Sequence, residues 1–189
     1  MQVFLPHPDF TETARTLDKR RLQKQGVECL QLLLVLFDVP LDDGRPRVGH
    51  RNHPCIHMWR PYAMGLVKYA LAITEECRAR GIKADVVENR VRGFIPESFV
   101  IEEAAAPPFV GDPEFHRSHR FRLLQKGAED ALKTGTNHYS QFGWEEEQHP
   151  ALAEQDYLWP RYVEGSETEY ILEKKEPRRK AAGKSEPED

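Results

Sequence analysis

The chain has 189 residues, 39% of them apolar and 31% charged, with 27 Lys and Arg against 31 Asp and Glu and a net charge of −4. That is enough chain for one domain with a proper core, and its slight acidity excludes polyanion binding through bulk charge, so any such binding must come from charge placement. No run approaches the ~20 apolar residues that span a bilayer, MQVFLPHPDF lacks the pattern of a secretion signal, and three scattered cysteines suit a reducing cytoplasm.

In chain order, Pro6 and Pro8 keep the start extended and DFTET offers caps, so a helix is predicted from Asp9–Thr11 to about Phe37, with room for a break. In its second half Leu22, Val27, Cys29, Leu30, Leu33, Leu34 and Phe37 cover most of the circumference, which predicts burial. Arg21, Lys24, Gln25 and Glu28 form a narrow polar strip leading into that region. After a long loop, Trp59, Tyr62, Ala63, Leu66, Val67, Ala70, Ile73 and Cys77 predict a second helix from Ile56 to Arg80, stopped by Gly81. Residues 82–113 read as irregular, and a third helix is predicted over 113–133. No alternating strands are evident. From 164 the composition turns to Glu, Lys, Pro and Ser, which predicts a charged, disordered tail over 164–189 behind a folded domain of 1–163. The fold class expected is mostly α, a compact single-domain helical bundle with long irregular loops.

Three stretches carry candidate chemistry. In LDKRRLQKQGVECLQLL, the cations Lys19, Arg20, Arg21 and Lys24 run into an apolar segment with Glu28 at the join. One reading is ordinary charge pairing on an amphipathic helix. The other is a carboxylate at the core edge, able to oppose a developing positive charge or shuttle a proton while the cations hold phosphates. In GHRNHPCIHMWRPY, the dense His50, His53, Cys55 and His57 raise the question of zinc, but H-x2-H-x-C-x-H matches no common closed site. Arg51, Asn52, His53, Trp59 and Arg60 at a helix start also suit phosphate contacts or an extruded base, and a plain capped loop over a core Trp59 is the third alternative. The stretch FHRSHRFRLLQK is locally basic, with Arg117, Ser118, His119 and Arg120 either binding backbone phosphates or lying on a solvated helix face. No GxxxxGK[ST], GxGxxG, GxSxG or HExxH occurs, so nucleotide hydrolysis, dinucleotide redox chemistry, common serine hydrolysis and zinc proteolysis lack support.

Together these stretches and DYLWP resemble the endonuclease V-type pyrimidine-dimer DNA glycosylases, in particular a bacterial and phage branch with M-Q-x-F-L-P, L-D-x-x-R-L-G-K-Q-R-V-E, N-H-P-x-x-x-M-W, S-H-R-x-x-L-L and Y-x-W-P segments. The resemblance implies a helical enzyme without metal or organic cofactor. It would bind double-stranded DNA as a monomer, extrude a damaged or modified base and cut the N-glycosidic bond. By position Glu28 becomes the catalytic carboxylate. Lys19, Arg20, Arg21, Lys24, Arg51, Arg60, Arg117, Ser118 and Arg120 become DNA contacts, and Gln25, Asn52, His53, Trp59 and His119 the base pocket.

Two departures stand out. Gln23 and Gly26 replace the branch's Gly and Arg, which is expected to remove a cation beside the acid. The dimer-cleaving enzymes use an N-terminal amine freed by methionine removal, whereas methionine is usually retained before a residue as large as Gln2. The amine would then be that of Met1, displaced by one residue, which favours Glu28 acting on water over a lyase reaction. Repair of dimers and defence against phage DNA with bulky modified cytosines are both compatible with these residues. So are a non-catalytic DNA-binding protein and a small metal-binding module around His50–His57.

Overall fold

The computed structural model describes residues 2–144 and 157–174. Helix α1, Phe10–Thr16, starts where the Asp9 side chain accepts the Glu12 N–H. The predicted run to Phe37 breaks at Leu17–Asp18, because Asp18 caps a new helix, α2 (Lys19–Leu36), by accepting the Arg21 N–H at 3.0 Å. The carbonyls orphaned at the end of α1 are taken up by one guanidinium: Arg80 donates to Leu17 O at 2.7 Å and to Arg15 O at 2.6 Å.

Burial of α2 follows the predicted pattern except at Val27 and Phe37, which are 45% and 39% exposed. Gly26 lies about 200° round the helix from Glu28. A Cβ there would stand in ordinary contact, 3.6 Å from Ile73 and 3.6 Å from Val87, so position 26 faces the neighbouring helices. The cation expected at 26 would therefore not stand beside the acid.

The predicted second helix is two. Helix α3, Pro54–Trp59, is capped by the His53 ring, and a 3-10 turn at Arg60–Tyr62, where Pro61 offers no N–H, separates it from α4, Ala63–Ala79. The stretch expected to be irregular contains α5, Asp85–Arg92. Its apolar residues are few, but Val91 is buried, and Glu88 ties Arg92 and Arg78 together. Helix α6, Pro113–Thr134, matches its prediction, starting at the Asp112 cap and ending at Gly135 with φ 76°. At Gly127 a Cβ would fall 1.9 Å from Asn137 Oδ1, so only glycine lets the following 3-10 segment His138–Phe142 pack against α6.

The structure also contains strands that the sequence did not suggest. Leu158–Tyr162 (β1) and Tyr170–Lys174 (β2) form an antiparallel hairpin with Tyr162 opposite Tyr170. The boundary expected at 163 thus falls inside a folded unit. Tyr170 donates its hydroxyl to Asp112 at 2.6 Å, and Tyr162 donates to Met58 O at 3.1 Å. The rest of the expected tail, 175–189, lies outside the described residues, as does Met1.

The molecule is mostly helical, with a core where α2 and α4 pack together around Trp59, Tyr69, Leu33 and Ile73. Among the described residues no helix is long and apolar enough to cross a membrane.

Candidate active site

Residues 2–5 form no regular element and enter the core, with Val3, Phe4 and Leu5 buried. Among the described residues no strand pairs with them, yet buried backbone groups require partners. Side chains supply these from both flanks and the floor. Gln25 Oε1 accepts the Phe4 N–H at 3.0 Å, and its Nε2 donates to Gln2 O at 3.2 Å. Tyr69 donates to Phe4 O at 2.7 Å and Tyr157 donates to Val3 O. His119 Nδ1 accepts the Leu5 N–H at 2.8 Å, His116 Nδ1 donates to Leu5 O at 2.6 Å, and Arg120 donates to Pro6 O at 2.8 Å.

At the open end of this segment the Gln2 N–H is bound by Glu28 Oε2. The Glu28 side chain is 13% exposed, and Lys24 Nζ lies 3.4 Å from its other oxygen. The carboxylate opens onto a cleft of about 330 Å³ between α2 and α6, lined by Gln2, Arg20, Arg21, Lys24, Lys126 and Asp130 among others. The sequence reading thus brought Arg20, Arg21, Lys24, Gln25 and Glu28 to one place. It missed Lys126, whose only signal was its place one turn beyond Arg122 on a basic helix. Burial lowers the Lys126 pKa, with the charges of Arg122, Arg21 and Lys24 adding to the effect. Glu129 acts in the opposite sense, and with Asp130 it also lines the cleft.

Arg21 is occupied. Its guanidinium binds Asp18 at 2.6 Å and Asp130 at 2.7 Å and stands 5.5 Å over the centre of the Tyr139 ring. Burial alone would raise the Asp18 carboxyl, but the Tyr139 hydroxyl and Arg21 outweigh it and hold the group below its ordinary value. Lys19, Arg20 and Lys24 remain exposed, with Arg20 Nη1 3.4 Å from Asp130.

The other nominated residues lie elsewhere. Trp59 is in the core, stacked on Tyr69 at 6.3 Å, with no contact surface for a base. His119 is fully buried between Phe115 and Tyr157, and burial holds its pKa well below the ordinary value. Ser118 is buried and donates to Phe115 O at 2.7 Å. Arg117 pairs with Glu114 at 3.6 Å. His119, Ser118 and Arg120 thus serve the N-terminal segment and the core, because the basic motif is turned inward on α6. Arg51 pairs with Asp38 at 2.5 Å, Asn52 is exposed, and His53 accepts the Cys55 N–H at 3.1 Å. Arg60 lines a second cleft of about 790 Å³ between α3 and the hairpin, with His57, Trp159 and Arg161. Among the described residues no three or more His, Cys, Asp or Glu side chains gather as a metal site would require.

The cleft thus brings together a nearly buried acid, the N-terminal segment and the cations of α2 and α6, with Glu129 and Asp130 among them. Residues 1–87 match the model of the pyrimidine dimer DNA glycosylase family. The match spans the N-terminal segment, α1 to α4 and the start of α5, and so includes Glu28 and the α2 side of the cleft. Helix α6 and the hairpin lie beyond it. No curated protein and no solved structure matches the chain.

Proposed function

We propose that this protein is a DNA glycosylase that cuts the N-glycosidic bond of a damaged pyrimidine in double-stranded DNA, in the first instance one member of a pyrimidine dimer, and leaves an abasic sugar, with the cut base still tethered to its partner in the dimer. The observation that carries the reading is Glu28: a carboxylate anchored by one oxygen to Gln2, with its other oxygen beside Lys24 at the mouth of a cleft lined by Arg20, Arg21 and Lys126 as well as Glu129 and Asp130.

As the base departs, positive charge develops on the sugar ring. A fixed carboxylate opposes that charge without having to reorganise. Lys24, Arg20 and Lys126 supply the cations that draw the phosphates flanking the lesion into the cleft. The cleft is too small for a stacked duplex, so the reacting nucleotide or its partner leaves the stack.

The nitrogen held by Glu28 belongs to Gln2. While any residue precedes it, this nitrogen is an amide, its lone pair is delocalised, and it does not attack carbon. Water oriented by Glu28 is then the nucleophile. If the preceding residue is removed, the same nitrogen is an α-amine with a pKa near ~8, able to form an imine with the sugar and break the strand.

The test is abasic-site formation without added metal on unmodified, UV-irradiated, uracil-containing and glucosylated hydroxymethylcytosine DNA, with the protein's mass measured alongside. Breaks on irradiated DNA only after alkali are expected. Breaks without alkali, with a covalent protein–DNA adduct when borohydride reduces the imine, would show the lyase route. Reaction on the glucosylated DNA alone would replace dimers by bulky modified cytosines, and no reaction on any substrate would remove the proposal. Glu28→Gln keeps shape and loses charge. It is expected to slow glycosidic cleavage by at least about a hundredfold with DNA binding retained, and an unchanged rate would exclude Glu28 from the chemistry.

A further inference from the structure

The likeness to the family put Gln25 in the base pocket, but the residue is 2% exposed and its amide faces the protein's own backbone. It accepts from Phe4 N–H and donates to Gln2 O, as a neighbouring strand would, and a primary amide is the side chain that offers one donor and one acceptor side by side. Three residues further along α2, Glu28 takes the Gln2 N–H. Residue 2 is therefore held by its carbonyl and its N–H from one face of one helix. If Gln25 let go, Gln2 could turn about its own backbone and Glu28 Oε2 would lose its anchor.

We infer that Gln25 is a positioning residue: it fixes Gln2 against Glu28 and so sets the direction in which the carboxylate presents its free oxygen to the cleft. It touches neither DNA nor the reacting atoms. The inference rests on the glycosylase reading above and adds to it a residue that acts on the rate of the chemical step and not on DNA affinity.

The experiment compares full-length wild type, Glu28→Gln, Gln25→Leu and Gln25→Glu on a duplex carrying one thymine dimer. Single-turnover cleavage of the glycosidic bond, read as alkali-labile sites, and DNA Kd are measured, and the folded fraction is followed by circular dichroism. Gln25→Leu is expected to slow cleavage tenfold or more, with Kd within twofold of wild type. Gln25→Glu guards against a Leu variant that fails to fold. Its protonated carboxyl again offers one donor and one acceptor, so its rate relative to wild type should rise as pH falls from 8 to 5.5. The groups that bear on that titration are Lys24, Glu28 and Cys29 on α2, Tyr69 on α4, Tyr157, and Lys126, Glu129 and Asp130 on α6. A Leu variant as fast as wild type, or slowed only by its unfolded fraction, overturns the inference, as does a Glu variant whose relative rate is flat with pH. Failure of wild type to cut the glycosidic bond defeats the underlying glycosylase reading and this inference with it, whereas full activity in Glu28→Gln leaves that reading standing and overturns this inference, because Glu28 is then outside the chemistry.

Discussion

Arg21 and Lys24 are three residues apart on α2, and both look like phosphate contacts in the sequence. The structure separates them by their partners. Arg21, with a side chain 13% exposed, bridges Asp18 and Asp130 and covers Tyr139, so it joins the start of α2 to α6. Lys24, 72% exposed, leans over Glu28 and is otherwise open to a ligand. Removing Arg21 leaves two carboxylates and a phenol facing one another, and Arg21→Ala is expected to cost about 2 kcal/mol of stability. Lys24→Ala should leave the melting temperature within about 1 °C, while reducing the slope of log K against log salt by roughly one. Thermal melts and DNA titrations at several salt concentrations check both. A stable Arg21→Ala with the shallower salt slope would restore Arg21 as a phosphate contact.

At the scale of elements, the N-terminal segment depends on two histidines one turn apart on α6. His116 donates from Nδ1 to Leu5 O and accepts the Gly111 N–H at Nε2, while His119 accepts the Leu5 N–H at Nδ1. Both arrangements need neutral rings, and burial lowers both pKa values from the ordinary 6.5, that of His119 strongly. In the unfolded chain the rings take up protons near 6.5, so below that pH the unfolded state binds more protons than the folded one. Their contribution is thus complete above about pH 6.5 and is lost as pH falls toward the folded values, at most about 1.4 kcal/mol per pH unit for each ring. Melting temperatures measured from pH 8 to 5 should hold level and then fall. A level profile down to pH 5 would mean that the rings protonate in place.

The same element marks the limit of what the sequence revealed. Helical periodicity located α2, α4 and α6, and charge beside an apolar run located Glu28, since both signals are local. The role of S-H-R on α6 was hidden, because histidine and arginine look alike in sequence whether they face a phosphate or a buried carbonyl. Only the path of residues 2–6, more than a hundred positions away, decides between them. Helix α5 was missed for a related reason: it is held by Val91 and the Glu88 ion pairs, which leave little apolar periodicity to read.

For the whole molecule, the hairpin carries folded chain past residue 163. The residues after 163 look like a charged tail, but Tyr170, Ile171 and Leu172 pair with β1, and the Tyr170 hydroxyl reaches the Asp112 cap of α6. Strand β1 in turn seats Trp159 edge-on to His53 at 5.6 Å and continues from Tyr157, which packs 4.1 Å from His119 and bonds Val3 O. A line of contacts therefore runs from β2 through β1 and Tyr157 to the segment that ends at Glu28. Cutting the chain after 163 leaves β1 with an unpaired edge and removes the Tyr170–Asp112 bond. The truncated protein should melt at least about 5 °C below the full chain. Its cleavage rate should fall as well, since the support of Val3 loosens while α2 is untouched. Melting and single-turnover rates on the two proteins test this. Equal values would make the residues after 163 dispensable and show that the side chains bonded to the N-terminal segment hold it without the second strand.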